Sequence, residues 1–413
     1  MKRDLDAIMQ ANHIDVLLIT GPGQHNPAMF YLTGGGHLTS ADVIKKCGEP
    51  AVLFHAPMER DEAAQTGLDT RNYNRYPLRH LMQEAGGDLI RALALRYTKM
   101  LAEVGVTGGR LALFGLTDLS VAFPIFSELQ RLMPSLTIVG DPGGAILQAA
   151  SLTKDEAEVE RIRQMGRITV EVVRRTADYL TQHAVRDEIL MRADGQPLTI
   201  GDVKGQINLW LAELGAENPE GTIFAIGRHG GVPHSSGNPA DVLRLGRPIV
   251  FDIFPCEAGG GYFYDFTRTW CLGYAPPDVQ HLYDQVRYVY EQVRAELKPG
   301  VHFREYQQRT CEMFEELGHP TVQSNPETEA GYVHSLGHGV GLRLHERPFS
   351  GAQATEDDIL QVGTVVTIEP GLYYPERGMG VRLEDTVWLR PDGKVEQLVD
   401  YPLDLVLPMK ERE

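Results

Sequence analysis

The sequence predicts two domains: an α/β layer domain over residues 1–150, then an α+β domain over residues 151–413. Three observations carry this expectation. A chain of 413 residues exceeds one ordinary domain. In its first third, short continuous apolar runs bounded by Gly and Pro alternate with helix-like segments, the pattern of strands covered by helices. From about residue 220 onward, strand-like runs joined by Gly-rich turns stand beside helical stretches, which suits an α+β arrangement rather than a second parallel sheet.

Each element has a local reason. Val16-Leu17-Leu18-Ile19 is closed by Gly21-Pro22-Gly23, residues 51–54 follow a Gly-Glu-Pro turn, and residues 110–114 follow Gly108-Gly109. All three read as buried strands, with a helix over 87–104 between them. Asp141-Pro142-Gly143-Gly144 marks the domain boundary. Thr153-Lys154-Asp155-Glu156 has the Thr-x-x-Glu form of a capping box. Val159, Ile162, Met165, Ile168 and Val172 then recur at helical spacing, so a long amphipathic helix opens the second domain. Strands are expected at 248–254, 262–270, 365–368 and 381–389, with helices at 278–297 and 303–317. Glu257 to Gly261 reads as an enlarged hairpin turn.

Composition narrows the function classes. A net charge of −17 would be repelled by nucleic acid and by an anionic membrane, so neither is an expected partner. No stretch reaches the roughly 18 apolar residues that span a bilayer. Residues 1–12 are charged and lack the apolar run of a secretion signal. Cys47, Cys256, Cys271 and Cys311 form no CxxC pair and read as free thiols in a reducing compartment. A cytoplasmic enzyme is the expectation.

The chemistry concentrates in the second domain. Asp252 lies within Ile-Val-Phe-Asp-Ile-Phe, Asp265 within Tyr-Asp-Phe-Thr-Arg-Thr-Trp, Glu369 ends Val-Val-Thr-Ile-Glu, and Glu384 sits in Val-Arg-Leu-Glu-Asp-Thr-Val. These four carboxylates occupy segments whose composition demands burial, so each needs a cation, a hydrogen-bond network or a metal. One such residue alone would read as an ordinary ion pair. Four of them accompany His334, His338 and His345, with glycines at 337, 339 and 341 that let backbones approach closely. One imidazole among several carboxylates makes a hard, oxygen-rich site favouring Mn, Co, Fe or Zn in pairs. It is not a His-Glu-x-x-His zinc helix, because His345-Glu346-Arg347 is closed by Pro348.

At this point the residues resemble a family. Pro233-His234-Ser-Ser-Gly-Asn-Pro239, Phe251-Asp252, Asp265-Phe-Thr-Arg-Thr, Gly337-His338-Gly-Val-Gly, Ile368-Glu369-Pro-Gly and Val381-Arg382-Leu-Glu384-Asp are similar, in order, to blocks of the pita-bread metallopeptidases. That family includes methionine aminopeptidases, aminopeptidase P and prolidase. His13-Ile-Asp-Val-Leu-Leu and Phe30-Tyr-Leu-Thr-Gly34 resemble the creatinase-type N-terminal domain of the last two, which methionine aminopeptidases lack.

The resemblance implies a creatinase-type domain over 1–150 and a pita-bread catalytic domain over 151–413. It implies two divalent ions (Mn, Co or Zn) held by Asp252, Asp265, His338, Glu369 and Glu384, with Asp265 and Glu384 bridging. Water activated between the metals would attack the scissile carbonyl, with Glu369 as proton shuttle. His234 and His345 would contact substrate and the tetrahedral intermediate, and His334 and Arg382 would line the substrate pocket. Arg382 could equally orient a carboxylate ligand.

The implied reaction is hydrolysis of Xaa-Pro bonds in small peptides, by a prolidase-like dipeptidase or by an aminopeptidase P acting on longer chains, as a homodimer. Metal-free creatinase-like hydrolases and non-catalytic peptide-binding relatives typically lose carboxylate ligands; this sequence has all four. The Asp252–Asp265 interval is longer than usual in the family, and Ser235-Ser236 replaces an aromatic found there in many aminopeptidases P. Both features bear on substrate range.

Overall fold

The computed structural model describes residues 4–410; residues 1–3 and 411–413, the outer ends of the two expected domains, lie outside the described residues. The chain divides into two compact units, Met1–Ser151 with Gly259–Gly261, and Leu152–Ala258 with Tyr262–Glu413.

The first unit is built on a six-stranded mixed sheet. Its central strand, Val16–Gly21, runs antiparallel to Ala41–Lys46 and parallel to Gly109–Gly115. Val16, Leu17, Leu18 and Ile19 are all buried, as a continuous apolar run covered on both faces requires. The helix read over 87–104 forms as Leu89–Glu103, with the Asp88 side chain accepting from the Arg91 N–H at its start.

The second unit opens with the long helix Glu156–Thr181. Its capping box lies two residues later than Thr153 suggests. Asp155 is the N-cap and Glu158 closes the box, because Thr153 is held in a β-bridge to Thr364 and cannot cap. Val159, Ile162, Met165 and Val172 are buried as their spacing requires, and Ile168 is half-buried.

Two sheets follow, antiparallel throughout except where Val406–Leu407 joins Phe266–Leu272 in parallel. A four-stranded sheet orders Thr222–Ile226, Pro248–Ile253, Phe266–Leu272 and Val406–Leu407. A five-stranded sheet orders Glu346–Phe349, His338–Gly339, Val365–Ile368, Asp385–Leu389 and Val395–Gln397. Helices Pro277–Glu296 and Phe303–Glu316 bury Val286, Val289, Val293 and Phe314 in one core with Val366, Ile368, Val381 and Val387. Expected strand 262–270 starts later, at Phe266.

Expected strand 381–389 is two strands. Met379–Arg382 pairs with Gly371–Tyr374 in a hairpin, while Asp385–Leu389 joins the five-stranded sheet. The break falls at Leu383–Glu384, where Glu384 instead bridges Thr267 of the four-stranded sheet. The run 257–261 does reverse the chain, closed by the Glu257 N–H donating to Tyr262 O at 3.0 Å. Cys256–Glu257, however, ladders on Ala216–Glu217 and pairs with the returning chain through an isolated Cys256–Phe263 bridge rather than a hairpin ladder. All four cysteines are free, and Cys256, Cys271 and Cys311 are buried.

Candidate metal centre

Strand register assembles the site. Asp252 lies opposite Thr267, and directly opposed residues of an antiparallel pair face the same side. Asp265, two residues before Thr267, falls on that side as well. In the five-stranded sheet Ile368 opposes Asp385, and continuing that register by one step sets Glu369 against Glu384. The Thr267–Glu384 bridge joins the two ladders. His338 comes from a short strand pressed against Val365–Ile368, with Gly339 opposite Val366. Glycine is required there: a Cβ on Gly337 would lie 2.1 Å from Thr367 O, and one on Gly339 would lie 2.1 Å from Arg347 O.

Burial of all four carboxylates, read from their apolar settings, is what the structure has: Asp252, Asp265, Glu369 and Glu384 are each at most 7% exposed. One ligand atom from each of Asp265, His338 and Glu384 falls within 4.8 Å of the others. His338 Nε2 lies 3.3 Å from Glu369 Oε1 and 3.5 Å from Asp265 Oδ2. The Nδ1–H of His338 donates to Gly339 O at 3.0 Å, which fixes the tautomer and leaves Nε2 as a lone pair facing carboxylate oxygens.

Hydroxyls orient the acids. Thr267 Oγ1 donates to Glu384 Oε2 at 2.6 Å, and Thr367 Oγ1 donates to Glu369 Oε1 at 3.2 Å. Arg382, 1% exposed, donates through Nη2 to Asp252 Oδ2, through Nε to Thr267 Oγ1 at 3.2 Å and through Nη1 to the Tyr373 hydroxyl at 2.8 Å.

The electrostatics call for a cation. Burial, and next the neighbouring Glu384, push Asp265 and Glu369 well above the usual carboxylate range. Burial, then Asp252, push Glu384 up to about 8. Burial, then His345, hold His338 down at about 3, so its imidazole is neutral. Asp252 Oδ1 and Glu384 Oε1 are buried without any hydrogen-bond partner. One guanidinium among four buried carboxylates leaves an excess of negative charge, when the acids are ionised, that divalent ions would offset. The donor set, carboxylate oxygens with one imidazole, suits such ions, and the two orphaned oxygens and the His338 lone pair are where ligands to them belong.

The remaining expected residues meet the same cavity, of about 440 Å³, whose wall includes His234, His334, His345 and Arg382. Burial lowers the pKa of His234, His334 and His345, keeping these rings neutral. His234 Nε2 and His334 Nε2 are 2.9 Å apart. Because His334 Nδ1–H donates to Ser335 O at 2.9 Å, the hydrogen-bond network assigns the shared proton to His234.

Sequence reasoning missed several supporting residues. Thr267 could have been found from its i, i+2 relation to Asp265. Arg268 and Asp385, one residue further on each strand, point to the opposite face and pair there at 3.0 Å, and the Tyr290 hydroxyl donates to Asp385 at 2.5 Å. Tyr373 had no signal, because its contact with Arg382 depends on the register of the 371–382 hairpin.

Buried acids around one imidazole, converging across two antiparallel ladders, define a candidate divalent-metal centre. Residues 160–391 match metallopeptidase family M24, and the chain belongs to that family. An Xaa-Pro dipeptidase of Pyrococcus horikoshii is 24% identical over 390 residues, 93% of each chain. The protein YkvY of Bacillus subtilis is 31% identical over 258 residues, and this chain covers 62% of YkvY, less than two-thirds of its length. Among solved structures, a Pyrococcus horikoshii dipeptidase superposes with a TM-score of 0.73 at 22% identity over 98% of both chains. An X-Pro aminopeptidase of Thermotoga maritima gives 0.72 at 23% identity over 95% of this chain and 97% of that one. The fold is therefore the pita-bread fold with an N-terminal α/β domain. Among the described residues no helix is long and apolar enough to cross a membrane.

Proposed function

We propose that this protein is a dinuclear metal-dependent exopeptidase that hydrolyses Xaa-Pro bonds in small peptides, in the manner of a prolidase. The observation that carries the reading is the convergence of Asp265, His338 and Glu384 within 4.8 Å, beside two buried carboxylate oxygens that lack partners. Asp252, Asp265, His338, Glu369 and Glu384 would hold the two ions, manganese, cobalt or zinc. When bound, such ions acidify a water and polarise the scissile carbonyl.

The side chains do the rest. Glu369 accepts the proton that the attacking water loses and returns it to the proline nitrogen as the C–N bond breaks. His234 and His345, neutral and on the cavity wall, donate to the substrate carbonyl and to the oxyanion that develops from it, the His234 Nε2–H turning from His334 to the substrate. Arg382 fixes Asp252 and Thr267 while His334 backs His234. Proline at the bond removes the substrate N–H and restricts its geometry. The specialised branch with a creatinase-type N-terminal domain, assigned here to residues 1–150, acts on such bonds, with the catalytic domain at 151–413. The protein acts as a cytoplasmic homodimer.

The test is a panel of Xaa-Pro, Xaa-Pro-Yaa and non-proline peptides assayed with each metal added. Cleavage confined to proline peptides and dependent on metal supports the reading. No gain in activity with Mn, Co or Zn, together with a purified protein that binds none of them, refutes it.

A further inference from the structure

The cavity wall holds one cation that this mechanism leaves unused. Lys204 stands in the second turn of helix Ile200–Glu213 and lines the cavity together with His234, Asp252 and His345. It is half-buried, its ammonium donates to Ser236 O at 3.1 Å, and among the described residues it forms no ion pair. Burial depresses its pKa, as expected for a cation that has lost water without gaining a counter-ion.

The other cationic side chain of the wall, Arg382, is already engaged. Every nitrogen of the Arg382 guanidinium is committed, to Asp252, Thr267, Tyr373 and Pro233 O. Among the described residues Lys204 is therefore the one side-chain cation of the wall left without an anionic partner, and so the one free to receive a ligand carboxylate.

We infer that Lys204 is a specificity-determining residue that receives the free C-terminal carboxylate of a dipeptide. This rests on the peptidase reading above and deepens it. The cavity volume of about 440 Å³ is in the range of small-ligand sites. An anchored carboxylate there favours a substrate that ends at the residue after the scissile bond, so Lys204 sets the choice between a dipeptidase and an aminopeptidase acting on longer chains.

The experiment compares wild type, Lys204→Met and Lys204→Arg on Ala-Pro, on Ala-Pro amide, which lacks the carboxylate, and on Ala-Pro-Ala. A charge-assisted bond to a carboxylate corresponds to a change of about 10- to 100-fold in KM. Lys204→Met raises KM for Ala-Pro by that factor with kcat little changed, leaves Ala-Pro amide unaffected, and is rescued by Lys204→Arg. An equal effect on both peptides, or no effect on Ala-Pro, overturns the inference. Calorimetric binding of Ala-Pro and Ala-Pro amide to metal-free protein separates the two readings. If wild type hydrolyses nothing with any metal, the peptidase reading fails, and the calorimetry alone decides the anchor. Tighter binding of Ala-Pro that is lost in Lys204→Met then upholds the anchor, and equal binding of the two peptides overturns it.

Discussion

Replacing Glu384 with glutamine has effects of opposite sign on the metal-free and the metal-loaded protein. Glu384 is fully buried among other acids, and its pKa rises from 4.5 to about 8. The unfolded chain gives up this proton near pH 4.5 and the metal-free fold only near pH 8. The contribution is therefore intact below pH 4.5 and is lost as pH climbs toward 8. At 1.36 kcal/mol per pH unit, that interval corresponds to a loss of up to about 5 kcal/mol. At ~2–4 °C per kcal/mol for a domain of this size, the melting temperature moves by up to roughly 10–20 °C. Glutamine mimics the protonated acid and can still accept from Thr267, so it does not share the loss. The assay is calorimetric melting of chelator-treated wild type and Glu384→Gln from pH 5 to pH 8.5, with and without Mn²⁺. Without metal the variant matches wild type at pH 5 and melts higher at pH 8; with Mn²⁺ wild type gains stability and the variant gains little. A metal-free variant that melts below wild type at pH 8 refutes the reasoning.

Three further outcomes follow from the same geometry. Arg382→Met removes the only guanidinium that the described residues place beside Asp252 and leaves that carboxylate buried without its partner, so the fold should lose about 3–5 kcal/mol; denaturant midpoints at constant slope measure this. His234→Ala should lower kcat by about 10²- to 10³-fold, as for loss of one oxyanion donor, while mass spectrometry finds the metal retained; loss of metal there contradicts a substrate-facing role. Gly337→Ala places a Cβ 2.1 Å from Thr367 O, which must displace the strand carrying His338, so metal affinity should fall even where the fold survives.

Much of this was legible in the sequence because burial and charge conflict visibly there. A carboxylate inside Ile-Val-Phe-Asp-Ile-Phe has few explanations, and four such cases with clustered histidines point to a cation. The apolar runs at 16–19 and 365–368 became strands for the same reason, continuous burial. What stayed hidden depends on tertiary pairing. The apolar pattern at 381–389 continues through Glu384, although the chain leaves a hairpin there and joins another sheet. Thr153 had the sequence of a cap, but its bridge to Thr364, more than two hundred residues away, moved the helix start to Asp155. Lys204 looked like any surface lysine of an amphipathic helix, and only the folded cavity wall distinguishes it.

The central claim is that five side chains hold two metal ions. Its most direct measurement is metal stoichiometry, by mass spectrometry after equilibration with Mn²⁺, on wild type and Glu384→Ala, with circular dichroism to verify the fold and an Xaa-Pro assay on the same samples. The account expects two ions per chain in wild type, and loss of bound metal and activity together in a folded variant. A folded Glu384→Ala protein that keeps both ions, or cleaves Xaa-Pro peptides at the wild-type rate, contradicts it.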